Sequence, residues 1–479
     1  MTQLDFYTIL PVVTLAVWAC ALLLVDLFIP KTHKGWTALL AALGLLLVGG
    51  LCLSQAGRES LGFNGMVVLD GFSNFLSLLF VLIGLFSVAL AYGYLRRMHL
   101  DHSEYYIILL FSVTGMLLMA QAADLMITFL ALELLSIPLY ILAAFAYPRT
   151  DSEEAGIKYF LLGSFATGFV VYGIALTFGA TGTTSIPGIF SAVTAGSANL
   201  NLLLAGAGLI LVGFGFKVSL APFHMWAPDV YQGAPTPVTA FMAAGAKAAG
   251  FAALLRVFAS AFPALAADLL PVLAILAAIS MLLGNLVAIA QTDLKRMLAY
   301  SSIAQAGYIL MAFVPFASDK LRLEAVSAGL FYLVAYTLTS FGAWGVVIFL
   351  EKAAGQGLAI RDYAGLGKKY PLLAAAMTVF MLSLTGLPPT LGLVGKIYLF
   401  RVTLEGGLYW LALVGVLTSL ISAYYYLRVV VTMYMTDGDP QVTRDFWLEL
   451  AVGAAAVLTV VLSLIPQSLL AWAAQAVLR

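Results

Sequence analysis

What most constrains this chain is a repeated run length. Stretches of about 18 to 25 residues without clustered charge recur along it. They fall near 7–28, 36–54, 73–95, 105–121, 124–146, 157–180, 202–232, 236–258, 268–290, 299–316, 324–350, 371–402, 408–434 and 447–475. Some 20 helical residues cross the hydrocarbon core of a bilayer. About fourteen such runs predict an all-α polytopic membrane protein, because in lipid only helices and closed barrels satisfy every backbone donor and acceptor. The connections left over are too short for an independent soluble domain, so any catalytic domain is expected on another polypeptide. The first run carries Asp5 in place of a basic leader and no small-residue cleavage pattern follows it, so it is expected to be a retained span.

Composition agrees: 63% of the 479 residues are hydrophobic and 10% charged, against roughly 25% charged in a soluble domain. With 23 basic and 23 acidic residues the net charge is zero, which removes any electrostatic case for a nucleic-acid partner. Cys20 and Cys52 form neither a CxxC pair nor a metal cluster, which argues against iron–sulfur ligation by this chain. His33, His99 and His102 fall in polar connections, leaving no histidine pair on facing helices to hold a haem. No cofactor or metal is expected in this chain.

The few charges are therefore informative by position. Lys31, Lys34, Arg96, Arg97, Arg149, Lys295, Arg296, Lys352, Arg361, Lys368, Lys369 and Arg444 collect on one side of the predicted spans. About half as many, including Arg58, Lys320, Arg322 and Arg479, collect on the other. The positive-inside rule then places both termini outside the cytoplasm.

Two runs are overlong and interrupted. FGFKVSLAPFHMWAPDVYQGAP carries Pro222, and SLTGLPPTLGLVGK carries Gly386, Pro388 and Pro389. Proline deletes a backbone donor and clashes with the preceding turn, and at membrane depth such a break is tolerated only against protein or a wet cavity. A packing kink is the plainer alternative for each. Five spans separate the breaks, an odd number, so the two copies cross in opposite directions, the pattern of an inverted repeat with discontinuous helices. The chain divides accordingly into N-terminal spans one to three (1–100), a first five-helix repeat (101–260), a second (265–435) and a final span (445–479).

Five ionisable groups fall within predicted spans: Glu133, Lys158, Lys217, Lys247 and Lys396. Each costs about 2.5–3.5 kcal/mol on insertion scales. Lys158 lies near Asp151, Glu153 and Glu154, so snorkelling to the interface competes with function there. Lys247 sits deep in an apolar stretch, and Lys217 and Lys396 flank the breaks, where freed carbonyls and water can solvate an ammonium. Burial lowers a lysine's affinity for its proton and a nearby carboxylate restores it, so the set suits proton movement. Glu133, the one acidic residue in mid-span, is the natural partner of a first-repeat lysine. Candidate relay groups are Ser136 and Tyr140 on the Glu133 face, His224 near Lys217, then Ser301, Ser302, Gln305 and Tyr308, and Tyr424 and Tyr425. For His224, merely satisfying freed carbonyls is an equal alternative, and Arg428 reads as an interfacial anchor.

FKVSLAPFHMWAPDVYQGAPTPVTAF (216–241), TDLKRMLAYSSIAQAGY (292–308) and LTGLPPTLGLVGKIYLF (384–400) together resemble the antiporter-like membrane subunits of respiratory complex I, the proton-pumping NADH:quinone oxidoreductase. The WAPDVYQGAP wording, the fourteen spans and the absence of a long lateral C-terminal helix are most similar to its subunit N (subunit 2) branch. The resemblance spans nearly the whole chain. It implies a proton-translocating membrane-arm subunit without a redox centre, in the inner membrane of a bacterium, beside other antiporter-like and small membrane subunits. FMN, iron–sulfur clusters, NADH and quinone would then be bound by partner subunits. It also implies that Glu133 and Lys217 form an electrostatic pair, Lys247 is the central lysine, Lys396 the terminal one, and Lys158 a sixth-helix lysine of this branch. One departure limits the repeat: Lys217 precedes its break, whereas Lys396 follows its own. Rival readings are a subunit of a multisubunit Na+/H+ antiporter, the equivalent subunit of a membrane hydrogenase or a photosynthetic complex, and, in another class, a structural membrane scaffold.

Overall fold

The computed structural model describes residues 2–30, 34–317, 321–352 and 355–476; Lys31, His33, Lys320 and Arg479 lie outside the described residues. α1 (Gln3–Asp26) and α2 (Gly35–Ser54) lead to a small antiparallel hairpin, β1 (Ser60–Gly62) with β2 (Val67–Leu69), Ser60 facing Leu69. The hairpin delivers Asp70, whose carboxylate caps α3 (Gly71–Arg97) through the Ser73 amide at 2.8 Å. α4 (Glu104–Gln121), α5 (Leu125–Ala143) and α6 (Thr150–Thr181) follow, then the short α7 (Ile186–Thr194) in a connection.

α8 (Leu200–Lys217) stops at its lysine, residues 218–225 are non-helical, and α9 (Trp226–Gly233) resumes, so the run around Pro222 is a true break. α10 (Thr236–Phe241) passes through a π-helical turn, Met242–Ala246, into α11 (Lys247–Ala261). α12 (Ala266–Ile289), α13 (Leu294–Phe313) and α14 (Arg322–Leu350) complete the centre. After the four-residue α15 (Leu366–Lys369), α16 (Pro371–Thr385) and α17 (Leu391–Glu405) form the second broken run, its gap at Gly386–Thr390. α18 (Tyr409–Met435), α19 (Phe446–Leu464) and α20 (Pro466–Gln475) end the chain; the last predicted run thus resolves into two helices, the shorter starting at Pro466 and packing on α3 and α14.

Among the described residues twelve helices are long and apolar enough to cross a membrane, the α10–α11 stretch counting as one. α13, 20 residues long but richer in polar side chains, and the split α16–α17 pair complete the fourteen runs. The helices are not equivalent. The apolar windows of α10–α11 and α14 are wholly buried, whereas those of α1, α6 and α19 are about one third buried or less. Two central helices are therefore shielded from lipid by the rest. Their polar side chains meet protein, a setting in which intramembrane charge can be paired and hydrogen-bonded.

Candidate functional site

The three central lysines are buried, each on a different kind of support. Lys217, the last residue of α8, donates from Nζ to Ser136 Oγ at 2.7 Å and Tyr159 Oη at 3.2 Å, and its ammonium stands 5.4 Å from the centre of the Tyr159 ring. Its stem lies against α11: a Cβ on Gly250 would come within 3.4 Å of Lys217 Cγ. Gly250 is three residues past Lys247, so the stem of Lys217 packs against the turn of α11 that follows Lys247.

Lys247 begins α11 immediately after the π-helical turn. Its Nζ donates to the Ser302 carbonyl at 2.6 Å and Ser302 Oγ at 2.8 Å. A π turn inserts a residue into the helical ladder and re-aims the side chains that follow. Ser302 lies on α13, one turn before Gln305, whose Nε2 donates to the Leu384 carbonyl at 3.1 Å. The same carbonyl accepts from Lys396 Nζ at 3.0 Å. Lys247 and Lys396 are thus joined through Ser302, one turn of α13, Gln305 and a single shared carbonyl.

Lys396 sits on α17 but reaches back across its break. Besides Leu384 it bonds the Thr385 carbonyl at 2.9 Å and Ser419 Oγ at 3.1 Å, with its ammonium 4.5 Å from the Tyr308 ring centre. Leu384 and Thr385 end α16, where carbonyls lack helical partners. The broken helix supplies the acceptors that hold the ammonium. Lys217 differs, since hydroxyls rather than freed carbonyls receive it.

Around this line lies a buried hydroxyl cluster. Tyr332 Oη donates to Gln305 Oε1 at 2.5 Å, Tyr426 bonds Ser301 and Gln305, Tyr425 Oη donates to Asn285 Oδ1 at 2.9 Å, and Tyr308 Oη donates to Thr418 at 3.0 Å. Ser301, Ser302 and Gln305 are brought together as expected. Tyr424 is not: it is 62% exposed on the outer face of α18, and the inward positions belong to Tyr425 and Tyr426. Arg428 caps α12, donating to the Ile289 and Gln291 carbonyls.

Glu133 departs from its expected place. Its Oε1 accepts from Thr167 Oγ1 at 2.7 Å, and it lines a surface groove of about 470 Å³ between α5 and α6 with Phe129, Val171 and Tyr172. It makes no ion pair with Lys217 among the described residues; Ser136, one turn further along α5, takes the lysine instead. Glu133 points to the outer side of α5 and Ser136 to the inner. Lys158 is half-exposed and ion-paired with Glu154 at 2.7 Å and Asp229 at 2.8 Å. Asp229 also pairs with Arg296 at 2.9 Å. His224 stands in the α8–α9 break, half-buried, bonded to none of the lysines.

Sequence reading missed four enclosed charges, Arg256, Asp70, Glu351 and Lys295. Arg256 and Asp70 form a bidentate pair, both contacts 2.9 Å, with each side chain 1% exposed, and Arg256 also donates to the Ala120 carbonyl. Glu351, at the end of α14, is fully enclosed and accepts from Tyr94 at 3.1 Å and from Thr236. Lys295, counted above as a surface charge, is fully buried and donates to the Ala234 carbonyl at 2.8 Å. Each lies at the end of a span, where a charge in the sequence looks like an interfacial one. The signal for Arg256 was its place nine residues past Lys247 on the same helix. Among the described residues no group of three or more His, Cys, Asp or Glu is arranged to hold a metal, and Cys20 and Cys52 are free thiols.

Comparison with known proteins agrees with this architecture. Residues 122–422 match the family model described as NADH:quinone oxidoreductase/Mrp antiporter, TM. The NADH-quinone oxidoreductase subunit N of Trichlorobacter lovleyi is 48% identical over 99% of this chain and 97% of that protein. That of Chloroflexus aggregans is 47% identical over 96% and 95%. A chain of respiratory complex I from Thermus thermophilus superposes with a TM-score of 0.84 at 38% identity, covering 97% of this chain and 99% of that one. A chain of the Mrp complex from Dietzia superposes with a TM-score of 0.87 at 21% identity, a likeness of fold alone.

Proposed function

The chain belongs to the subunit N family of the NADH-quinone oxidoreductases, antiporter-like components of the membrane arm of complex I, and on that premise we propose that its buried lysines carry protons across the membrane. The observation that supports this most directly is the alignment of three buried lysines through the centre: Lys217 with its stem against α11, Lys247 bonded to Ser302 on α13, and Lys396 sharing the Leu384 carbonyl with Gln305, one turn beyond Ser302. Hydroxyls can pass a proton, and the amide and carbonyls between them can hold the ammonium groups and relay water at membrane depth. Redox chemistry belongs to other subunits, where FMN, iron–sulfur clusters, NADH and quinone are bound, and its free energy reaches this chain as a change in charge or contact.

The switch is the relation of Glu133 to Lys217. With Glu133 turned outward onto Thr167, Lys217 bonds the neutral hydroxyls of Ser136 and Tyr159, and the carboxylate acts on it only at a distance. Rotation of Glu133 toward Ser136 would bring the carboxylate near the ammonium and reload it. Lys158, with Asp229 and Arg296, is the charged group on the basic side of this segment, and His224, Ser301 and Tyr425 are supporting relay groups. Residues 101–260 and 265–435 act as two oppositely oriented units around the two broken helices. The protein is read as resident in a bacterial inner membrane with both termini on the periplasmic side, its neighbours other antiporter-like and small subunits.

In the assembled complex, Lys247→Ala or Glu133→Ala is expected to depress proton pumping together with, or more than, electron transfer. Normal pumping per electron in both variants would defeat the proposal. The sodium–proton antiporter reading has a family model shared by both groups and a 21%-identical fold likeness, against relatives of 47–48% identity named as subunit N. Its test is the identity of the neighbours in the native assembly: flavin and iron–sulfur subunits support the complex I reading, and antiporter subunits alone overturn it.

A further inference from the structure

A second groove, larger than the one at Glu133, lies away from the lysine line. It holds about 820 Å³ between α2, α3 and α19, in the size range of a built ligand site. Its wall is apolar, with Leu43 and Leu46 of α2, Leu85 of α3 and Leu450 of α19, and the small residues Ala42 and Ala454 leave the space between them. The groove has a polar mouth at one end only. There Trp36, Tyr92 and Trp447 gather with Arg96 and Asp101, on the side of the molecule where basic residues concentrate.

The length of the groove identifies a class of occupant. From Trp36 at the mouth to Leu46 at the closed end is ten helical steps of 1.5 Å, about 15 Å. That is half of a hydrocarbon core of about 30 Å, the reach of one leaflet. Trp36 and Trp447 are 56% and 45% exposed at the mouth, where amphipathic rings mark the headgroup level. A partner helix would need a path through both leaflets, whereas this path serves a single leaflet and opens into the headgroup layer.

The charges at the mouth narrow the class. Lys34 is committed to Asp26 at 2.6 Å, and Arg97 turns inward to the Ile348 carbonyl at 2.6 Å. Asp445 beside Gly93 caps α19 through the Leu448 amide at 2.9 Å. Arg96 rests on the Tyr92 ring at 5.7 Å and donates to Tyr92 Oη at 3.4 Å, and neither it nor Asp101 forms an ion pair among the described residues. One guanidinium and one carboxylate complement a headgroup that carries both signs; a purely anionic one would face Asp101 at a cost. We propose that this groove is a site for a zwitterionic phospholipid of the phosphatidylethanolamine type, its phosphate on Arg96, its ammonium toward Asp101 and an acyl chain along Leu43 and Leu46. The lipid joins the N-terminal helices to α19, and the inference is independent of the proton-carrying role.

The test uses the whole complex, purified from cells that carry a photoreactive benzoylphenylalanine in place of Leu43. Irradiation is expected to give a mass adduct of phosphatidylethanolamine on this chain. Arg96→Gln is expected to lower its yield several-fold, and Ala42→Phe, which fills the groove, to abolish it with electron transfer unchanged. Exchange into phosphatidylglycerol alone is expected to lower the adduct, and its restoration by added phosphatidylethanolamine supports the headgroup assignment. An adduct to another subunit, or one that follows bulk lipid composition and ignores Arg96→Gln, overturns it. If the Leu43 position blocks assembly, the probe at Leu450 on the opposite wall reads the same outcomes.

Discussion

Lys396→Met is the perturbation in which structure and function separate most cleanly. The ammonium has three acceptors: the Leu384 carbonyl at 3.0 Å, the Thr385 carbonyl at 2.9 Å and Ser419 Oγ at 3.1 Å. After substitution Leu384 keeps the Gln305 amide at 3.1 Å, so one buried carbonyl, that of Thr385, loses its side-chain donor. An orphaned buried acceptor costs about 1–3 kcal/mol. Against this, removing an intramembrane ammonium relieves about 2.5–3.5 kcal/mol on insertion scales. The two offset to within about 3 kcal/mol, and methionine matches the volume of the lysine stem. The variant complex is therefore expected to assemble with near-normal thermal stability. In inside-out membrane vesicles, NADH oxidation and dye-reported acidification measured together should then give fewer protons per NADH, while uncoupled oxidation is better preserved. Lys396→Arg, which keeps a cation at the break, should lie between. An assembled Lys396→Met complex that pumps the wild-type number of protons per electron would refute the relay.

Three further outcomes follow from the geometry. Gly386, at φ +88°, ends α16, and a Cβ there would lie 2.8 Å from Lys396 Cδ; Gly386→Ala should cost about 1–2 kcal/mol for the left-handed backbone and lower the proton-to-electron ratio although the lysine remains. An unchanged ratio would show that the placement of Lys396 is unimportant. Removing Asp70 alone leaves Arg256 buried without its counter-charge, at about 3–5 kcal/mol, so Asp70→Leu should reduce assembled complex more than the Asp70→Leu, Arg256→Met double variant; equal or additive losses would contradict a coupled pair. On the surface, hydrogen bonds from Lys368 at 2.6 Å and Lys369 at 2.5 Å hold the Asp437 and Asp439 carboxyls below the usual carboxylate range. Their contribution is present above a pH of about 4 and is lost as the pH falls through the lowered values. The carboxyl resonances of Asp437 and Asp439 should accordingly titrate below those of a free aspartate and move back up in high salt or on Lys368→Gln and Lys369→Gln.

The spans and the central lysines were legible because both are local signals: run length, and an isolated charge inside a run. Facing was not. Tyr424, Tyr425 and Tyr426 are adjacent, each turned about 100° from the last, and in a helix apolar on nearly every side no stripe says which turns inward. Proline was also an incomplete guide. Pro11, Pro138 and Pro271 lie inside continuous helices, whereas the breaks at 218–225 and 386–390 have acceptors or hydroxyls fixed by partners far along the chain. Glu351, Asp70 and Arg256 escaped because a charge at the end of a run is indistinguishable in sequence from one that faces water. Only the third dimension shows that other helices cover it. Glu133 was correctly located in mid-span, but whether its side chain met Lys217 depended on the rotation of α5 against α6.

The enclosure of α10–α11 and α14 also has a history within synthesis. Lys247 emerges 55 residues before Ser302, its acceptor on α13, and 75 residues before the first residue of α14. Until α13 and α14 arrive, the cost of that ammonium at membrane depth falls on the growing chain, and the π turn beside it has nothing to close against. The centre of the protein thus becomes native only once later helices are in place, although it is encoded in the middle. A substitution that loosens α14 should leave a long-lived half-built intermediate with an exposed lysine, the kind of species membrane proteases remove, before it alters any finished complex.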